Sequence, residues 1–219
     1  MKFSARTIQI LRNFASIHQA IIFKPGDQLK TISETKSVMA RATIDTQIEK
    51  TFAIYDLGKF LSAVSMFEEP DLHLGDTSIS ISKGREKLSY TYAEISLIKA
   101  PPEKEITFPS VDVEFDLKNE DLNRVIKALS IIGAPEIAFT GDGSAIYMEA
   151  LNTKNPSEST YRTEVGTTDK QFRLVFKAEN IKLLPGDYHV RVSGRGLSHF
   201  KAEDIEYWIA VEANSTFEG

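Results

Sequence analysis

A single unit recurs along this chain: an amphipathic helix that runs into short, alternating strands. Its clearest copies are Phe67-Glu68-Glu69-Pro70-Asp71-Leu72-His73-Leu74-Gly75-Asp76 and Ile132-Gly133-Ala134-Pro135-Glu136-Ile137-Ala138-Phe139-Thr140-Gly141-Asp142. In each, a helix ends, proline blocks its continuation, apolar residues alternate with polar ones, and Gly-Asp opens a hairpin turn. Helix starts fall near Ser4, Asp56, Lys118 and Ala178, a spacing of roughly sixty residues that argues for two similar halves made of similar modules. The 219 residues are enough to bury two cores of that kind.

The helical segments read as 4–17, 56–67, 118–132 and 177–184. Ser4 is placed to cap the first. At about 100° per residue, Ile8, Ile10, Leu11, Phe14, Ala15 and Ile17 form a broad apolar arc, and Arg6, Gln9, Arg12, Asn13 and Ser16 fill the other. The second buries Leu57, Phe60, Leu61, Val64 and Phe67 and shows Gly58, Lys59, Ser62 and Ser65. The third turns Leu122, Val125, Ile126, Leu129 and Ile132 inward, with Asn119, Asn123, Arg124, Lys127 and Ser130 outward. The fourth is short and stops at Pro185-Gly186. Most of the remainder reads as strands, 95–99, 159–165 and 206–212 among them. Alternation in Ser78–Ser82, Lys87–Tyr92 and Asp187–Ser193 suits antiparallel sheets packed on one side.

The formal charge is −5, which taken as a sum argues against a nucleic-acid partner. Its distribution says otherwise. The four helical segments hold Arg6, Arg12, Lys59, Lys118, Arg124, Lys127, Lys177 and Lys182 against Asp56, Glu120, Asp121 and Glu179, so they carry +4 and leave −9 elsewhere. A bias in helix composition gives the same split, so charge alone leaves both readings open. There is no cysteine, which fits a reducing compartment. No apolar run approaches ~20 residues, and the first residues lack the apolar core of a signal peptide. A cytoplasmic protein without a membrane partner is expected.

Between the halves lies Ala100-Pro101-Pro102-Glu103-Lys104-Glu105-Ile106-Thr107-Phe108-Pro109-Ser110. Its prolines and alternating charges make a poor helix or central strand, so it is the expected linker. The domains then read as 1–99 and 113–219, joined by 100–112. Ile106 and Phe108 are apolar anchors on this linker; they line a groove or cap the second core.

Motifs for chemistry are missing. The chain has no G-x-S-x-G, no P-loop, no H-E-x-x-H and no G-x-G-x-x-G after a strand. Gly141-Asp142-Gly143 and Gly194-Arg195-Gly196 read as hairpin turns rather than phosphate cradles. His18, His73, His189 and His199 are scattered; only Glu203, four residues after His199, gives a metal-like spacing, in an expected loop. No nucleophile is paired with a base, so enzymatic activity, metal and cofactor have no positive support.

Three segments carry a family resemblance. Leu11-Arg12-Asn13-Phe14-Ala15-Ser16-Ile17, Phe52-Ala53-Ile54-Tyr55-Asp56-Leu57 and Tyr207-Trp208-Ile209-Ala210-Val211-Glu212-Ala213-Asn214-Ser215-Thr216 resemble, in that order, the sliding clamps of T4-like bacteriophages, the processivity factors of the phage DNA polymerase. The resemblance implies an α+β fold: two similar domains of the DNA-clamp type, each with two helices packed on antiparallel sheets, assembled as a homotrimeric ring. It further implies that helices line the hole, that Arg6, Arg12, Lys59, Lys118, Arg124, Lys127 and Lys182 face duplex DNA, and that the acidic outside repels it.

Other implications concern partners. An ATP-driven clamp loader would open the ring, and DNA polymerase and other replication or late-transcription factors would insert peptides into an apolar groove. The candidates for that groove are Val38, Ile106, Phe108, Ala210 and Val211. Subunits would join head to tail through edge strands, Lys87–Leu97 meeting Ser157–Val165, with Tyr90, Tyr92 and Ile95 answered by Tyr161 and Val165. Tyrosines buried inside one protomer are the alternative. The setting implied is the cytoplasm of an infected bacterium. The competing functional readings are a monomeric β-rich nucleic-acid binder using aromatic stacking and a non-enzymatic virion or scaffold protein.

Overall fold

The computed structural model describes residues 1–218. The chain divides into two compact units, Met1–Lys104 and Glu105–Gly219, and the division falls inside the proline-rich segment.

The first unit runs α1 (Ala5–Ile17), β1 (Ile21–Phe23), β2 (Gly26–Ile32), β3 (Val38–Ile48), β4 (Phe52–Ile54), α2 (Leu57–Val64), β5 (Asp71–Leu74), β6 (Ser78–Lys83) and β7 (Glu86–Thr91). Both helices start on a capping side chain. Ser4 Oγ accepts the Thr7 N–H at 3.0 Å, and Asp56 Oδ1 accepts the Lys59 N–H at 2.8 Å, each satisfying a donor the helix itself leaves free. Ile10, Leu11 and Phe14 on α1 and Leu57 and Phe60 on α2 are completely buried. Each such side chain contributes about 1.5–3 kcal/mol of hydrophobic stabilisation. Beside the helices, β1 pairs with β4, β2 with β3, and β5, β6 and β7 form a three-stranded antiparallel sheet in that order. A run of rings, Phe3, Phe23, Phe52 and Tyr92, stacks through this unit at centroid distances of 6.2, 4.5 and 5.1 Å.

The second unit contains β8 (Val113–Leu117), α3 (Asn119–Ile132), β9 (Glu136–Asp142), β10 (Ala145–Leu151), β11 (Tyr161–Thr167), β12 (Gln171–Lys177), β13 (Tyr188–Ser193), β14 (Leu197–Lys201), β15 (Ile205–Ala210) and β16 (Thr216–Glu218). Its strands pair in the orders β11-β10-β9-β12-β16 and β8-β13-β14-β15. Phe139, Phe176, Phe200, Tyr188 and Tyr207 fill its core. Gly133, at φ +67°, ends α3 in the left-handed conformation that a Cβ would disfavour. In β11, Gly166 lies opposite Ile146 and Glu164 opposite Tyr147, so Val165 is an extra residue, a bulge.

Among the described residues three α-helices form, not four. The segment expected as the fourth has only a 3-10 turn at Ala178–Asn180. Ile181, Leu183 and Leu184 are all buried. The backbone of Leu184 is instead satisfied by two phenols: its N–H donates to Tyr207 Oη at 3.1 Å, and its carbonyl accepts from Tyr188 Oη at 2.6 Å.

Two further expectations change. Residues 95–97 form a 3-10 turn rather than a strand, which brings Ile98 alone of that stretch into contact with Ala20 and Ala53. Gly141 lies within β9 rather than in the turn, and a Cβ there would sit 2.4 Å from the Phe172 ring; that close approach is what requires glycine.

Candidate functional site

The helix faces that turn away from the two cores carry the cations singled out above. On α1, Arg12 is exposed, and Arg6 is half-buried with Nη1 donating to Gln9 Oε1 at 2.8 Å. On α2, Lys59 lies 3.2 Å from its own cap, Asp56. On α3, Arg124 engages Glu120 and lies 3.9 Å from Asp121, whereas Lys127 is exposed. Lys118 precedes α3 and is 2.9 Å from Asp187. Among the described residues, Arg12 and Lys127 have no carboxylate within ion-pair distance. Lys182 is half-buried in the irregular stretch after the 3-10 turn, so it belongs to no helix face.

The positive helix face of each unit is therefore sparser than a charge count suggests. Three of the cations, Lys59, Lys118 and Arg124, are held by nearby acids in exposed pairs, which are individually weak and easily exchanged. Between α1 and α2 runs a shallow groove of about 280 Å3 lined by Arg12, Ala15, Gly58, Leu61, Ser62 and Ser65. The hydroxyls of Ser62 and Ser65 turn back on carbonyls of their own helix, Gly58 and Ser62. What remains is a smooth surface of short side chains with one free guanidinium.

Asp187 does more than pair with Lys118. Its Oδ1 accepts the Asn119 N–H at 2.8 Å, capping α3 from far along the chain, and Asn119 Oδ1 accepts the Gly186 N–H at 2.9 Å. The Asn119 N–H, and then Lys118, hold the Asp187 carboxyl below its usual range; Asp187 in turn raises Lys118. Nothing local announces this cap, since position 118 is a lysine.

Two strand edges stand out. β7 ends the three-stranded sheet of the first unit and β11 ends the five-stranded sheet of the second. Of the apolar side chains expected along these edges, Ile95 is exposed. Tyr90 and Tyr92 are committed inside the first unit. Tyr90 Oη donates to the Asp56 carbonyl at 3.1 Å with its ring edge-on to Phe60, and Tyr92 packs on Phe52. Tyr161 and Val165 are half-buried on β11. Sequence reasoning missed three exposed apolar groups: Tyr55 just before the α2 cap, Leu97 (72 % exposed) and Ile131 (73 % exposed) near the end of α3, the helix that packs beside β11. Apolar periodicity places these residues only as helix or strand members; their exposure becomes visible once the core is known.

Of the residues expected in an apolar groove, Val38 is 2 % exposed and offers nothing to a ligand. It points inward because β3 alternates and its Val38, Ala40 and Ala42 positions face the core. Ile106, Phe108, Ala210 and Val211 are half-buried in the second unit. Phe108 lies over the Arg191 guanidinium at 5.5 Å and beside the His199 ring at 6.3 Å. His199 does not meet Glu203: its Nε2 binds Glu206 at 2.7 Å across the β14–β15 ladder.

Comparison with known proteins accounts for both halves. Residues 3–100 match the family described as DNA polymerase processivity factor, and residues 114–213 the family described as gp45 sliding clamp, C terminal. The protein named Sliding clamp of Vibrio phage KVP40 is 34 % identical over 97 % of this chain and 100 % of its own length. That of Escherichia phage RB69 is 32 % identical over 99 % of both. Among solved structures, the PCNA of A. fulgidus, crystallised with the C-terminal region of FEN-1, superposes with a TM-score of 0.71 at 13 % identity, covering 95 % of this chain and 96 % of that one. With the fold shared throughout and the sequence related along its whole length, the chain belongs to the sliding clamp family of T4-like phages, the DNA polymerase processivity factors.

Proposed function

We propose that three copies of this chain close head to tail into a ring around duplex DNA and tether the replicative polymerase to its template. The observation that carries this reading is the pairing of two features in each unit: a helix face bearing exposed cations and a terminal strand left open, β7 in one and β11 in the other. Joining β7 of one copy to β11 of the next is a heterologous contact, which closes when the rotation permits. Ile95, with Tyr55 and Leu97, then supplies the apolar part of one side. Tyr161, Val165 and Ile131 supply the other.

Arg6, Arg12, Lys59, Lys118, Arg124 and Lys127 would face the duplex. Contacts to phosphate carry no base sequence, and weak, exchangeable ones let a ring slide. The mechanism is topological. A partner bound to the ring dissociates from template into a volume set by its tether, so its effective concentration stays high. No bond is made or broken by the clamp, which makes the chain a non-catalytic accessory factor. Opening the ring falls to an ATP-driven loader, and partner peptides would bind on the second unit near Ile106, Phe108, Ala210 and Val211. The setting is the host cytoplasm during infection.

The test is retention on DNA. Loaded protein should remain on closed circular DNA and run off after a single cut, and sedimentation should show a particle of about 73 kDa from the 24.5 kDa chain. Equal retention on linear and circular DNA, or a monomer at every concentration, overturns the reading.

A further inference from the structure

On the face of the β8-β13-β14-β15 sheet opposite the Val190, Phe200 and Tyr207 side chains, four residues stand in register: Glu114, Arg191, His199 and Trp208. His199 is 3 % exposed and Trp208 is 7 % exposed. Their rings stack at 4.8 Å with planes 16° apart. Arg191 Nη2 lies 2.7 Å from His199 Nδ1, and Glu206 Oε2 lies 2.7 Å from His199 Nε2. A guanidinium only donates and a carboxylate only accepts, so the tautomer is determined: Nδ1 is the acceptor and Nε2 carries the proton. The same guanidinium that donates to His199 lies under the Phe108 ring of the linker.

We propose that Arg191, His199, Trp208 and Glu206 form a proton-sensitive latch that holds the linker to the second unit through Phe108, and that protonation of His199 opens it. The chemistry follows from the tautomer. A proton on Nδ1 turns the acceptor into a donor and places a second cation against the guanidinium. The bond is then lost and Arg191 must turn away; the carboxylate opposite it in register is Glu114, whose Oε1 is already 2.7 Å from His189 Nε2. With Arg191 displaced, Phe108 loses its cation–π partner and one wall of its seat, and the linker around Ile106 and Phe108 is freed.

The groups facing His199 set where this happens. Burial favours the neutral ring, Arg191 from β13 and Lys201 from its own strand oppose a second positive charge, and Glu206 from β15 favours it; the balance holds His199 below its usual value of 6.5. The latch is therefore shut at neutral pH and opens only as pH falls below the usual imidazole value. It stands whether or not the chain forms a ring.

The chain supplies its own reporters. Trp208 is its only tryptophan, and a protonated imidazole stacked on an indole quenches its emission. With no native cysteine, a trifluoromethyl tag on the exposed Thr107→Cys is a unique probe of linker motion. The full-length protein is titrated while Trp208 emission and the 19F linewidth of the tag are followed. Loss of emission and narrowing of the line are expected at one shared midpoint below 6.5. His199→Gln, which keeps a donor and an acceptor but does not titrate, should abolish both transitions and leave the line broad. Phe108→Ala lies on the linker and does not depend on core packing; it should give a narrow line at every pH while Trp208 still titrates. A line that stays broad through the Trp208 transition, a Phe108→Ala line as broad as the parent's, or a narrowing that survives His199→Gln, overturns the proposal.

Discussion

Arg12 and Lys118 carry the same formal charge on the proposed duplex-facing side, yet they should not contribute equally. Arg12 is exposed and has no carboxylate within ion-pair distance, so a phosphate can take it at no competing cost. Lys118 already faces Asp187 at 2.9 Å, and a phosphate must displace that acid first. Each phosphate contact contributes about 0.9 to the slope of log affinity against log salt, so losing one removes about a three- to fourfold change in affinity between roughly 50 and 200 mM salt. In a ring the three copies of a residue change together, and the slope falls by up to ~0.9 for each copy engaged at one time. Arg12→Ala and Lys127→Ala should therefore flatten the salt dependence clearly, and Lys118→Ala much less. Glu120→Gln, which frees Arg124 from the nearer of its two acids and leaves Asp121 at 3.9 Å, should steepen it. The assay is equilibrium binding to a short linear duplex, onto which a ring threads from the ends, read by anisotropy across a salt series. Identical slopes for Arg12→Ala and Lys118→Ala would refute the assignment of free and occupied cations. No change from any of these variants would remove the helix face from the duplex altogether.

Further expectations concern assembly and stability. Ile95→Asp combined with Leu97→Asp should lower the sedimenting mass from about 73 kDa to the 24.5 kDa chain without altering the circular dichroism, because both side chains are exposed in the subunit. Tyr90→Phe should leave that mass unchanged and cost about 1 kcal/mol in urea unfolding, since its hydroxyl serves the Asp56 carbonyl within one unit. Tyr207→Phe leaves the Leu184 N–H buried without a partner and should cost ~1–3 kcal/mol in the same experiment. The Asp142 carboxyl is lowered to about 2, chiefly by the Ala145 N–H and then by Ser144. A lowered carboxylate stabilises the fold above its usual value of 3.8 and loses that contribution as pH falls through about 2. An NMR titration should place the Asp142 midpoint there, and Asp142→Asn should remove this part of the acid dependence.

Helix caps and apolar arcs were the most legible part of the chain. Ser4 and Asp56 act through their own backbone neighbourhood, so their roles are visible in a few consecutive residues. The larger failures are non-local. Residues 178–184 have a passable helical composition, but the phenols of Tyr188 and Tyr207 offer the Leu184 backbone a better arrangement than helix, and Tyr207 lies more than twenty residues away in sequence. The Asp187 cap on α3 reaches across 68 residues. β16 escaped notice because Thr216–Glu218 is short and is a strand only through its pairing with β12. At the candidate site the same division holds. Which faces bear cations could be read from periodicity, but whether each cation is already taken depended on folded geometry. Tyr90 and Tyr92 alternate as edge residues should, and only their Phe60 and Phe52 neighbours reveal that they are turned inward.

The bulge at Val165 bears on how accurately copies can be joined. A uniform edge strand would accept a neighbour at several offsets two residues apart, each with a full set of backbone bonds. One surplus residue breaks that translational sameness and bends the strand locally, so in the proposed ring an incoming β7 would find its hydrogen-bonding groups matched at a single alignment. Dimers joined at other offsets would thereby be penalised before a third copy arrives. Deleting that residue should yield a protein that still associates but does so in mixed geometries.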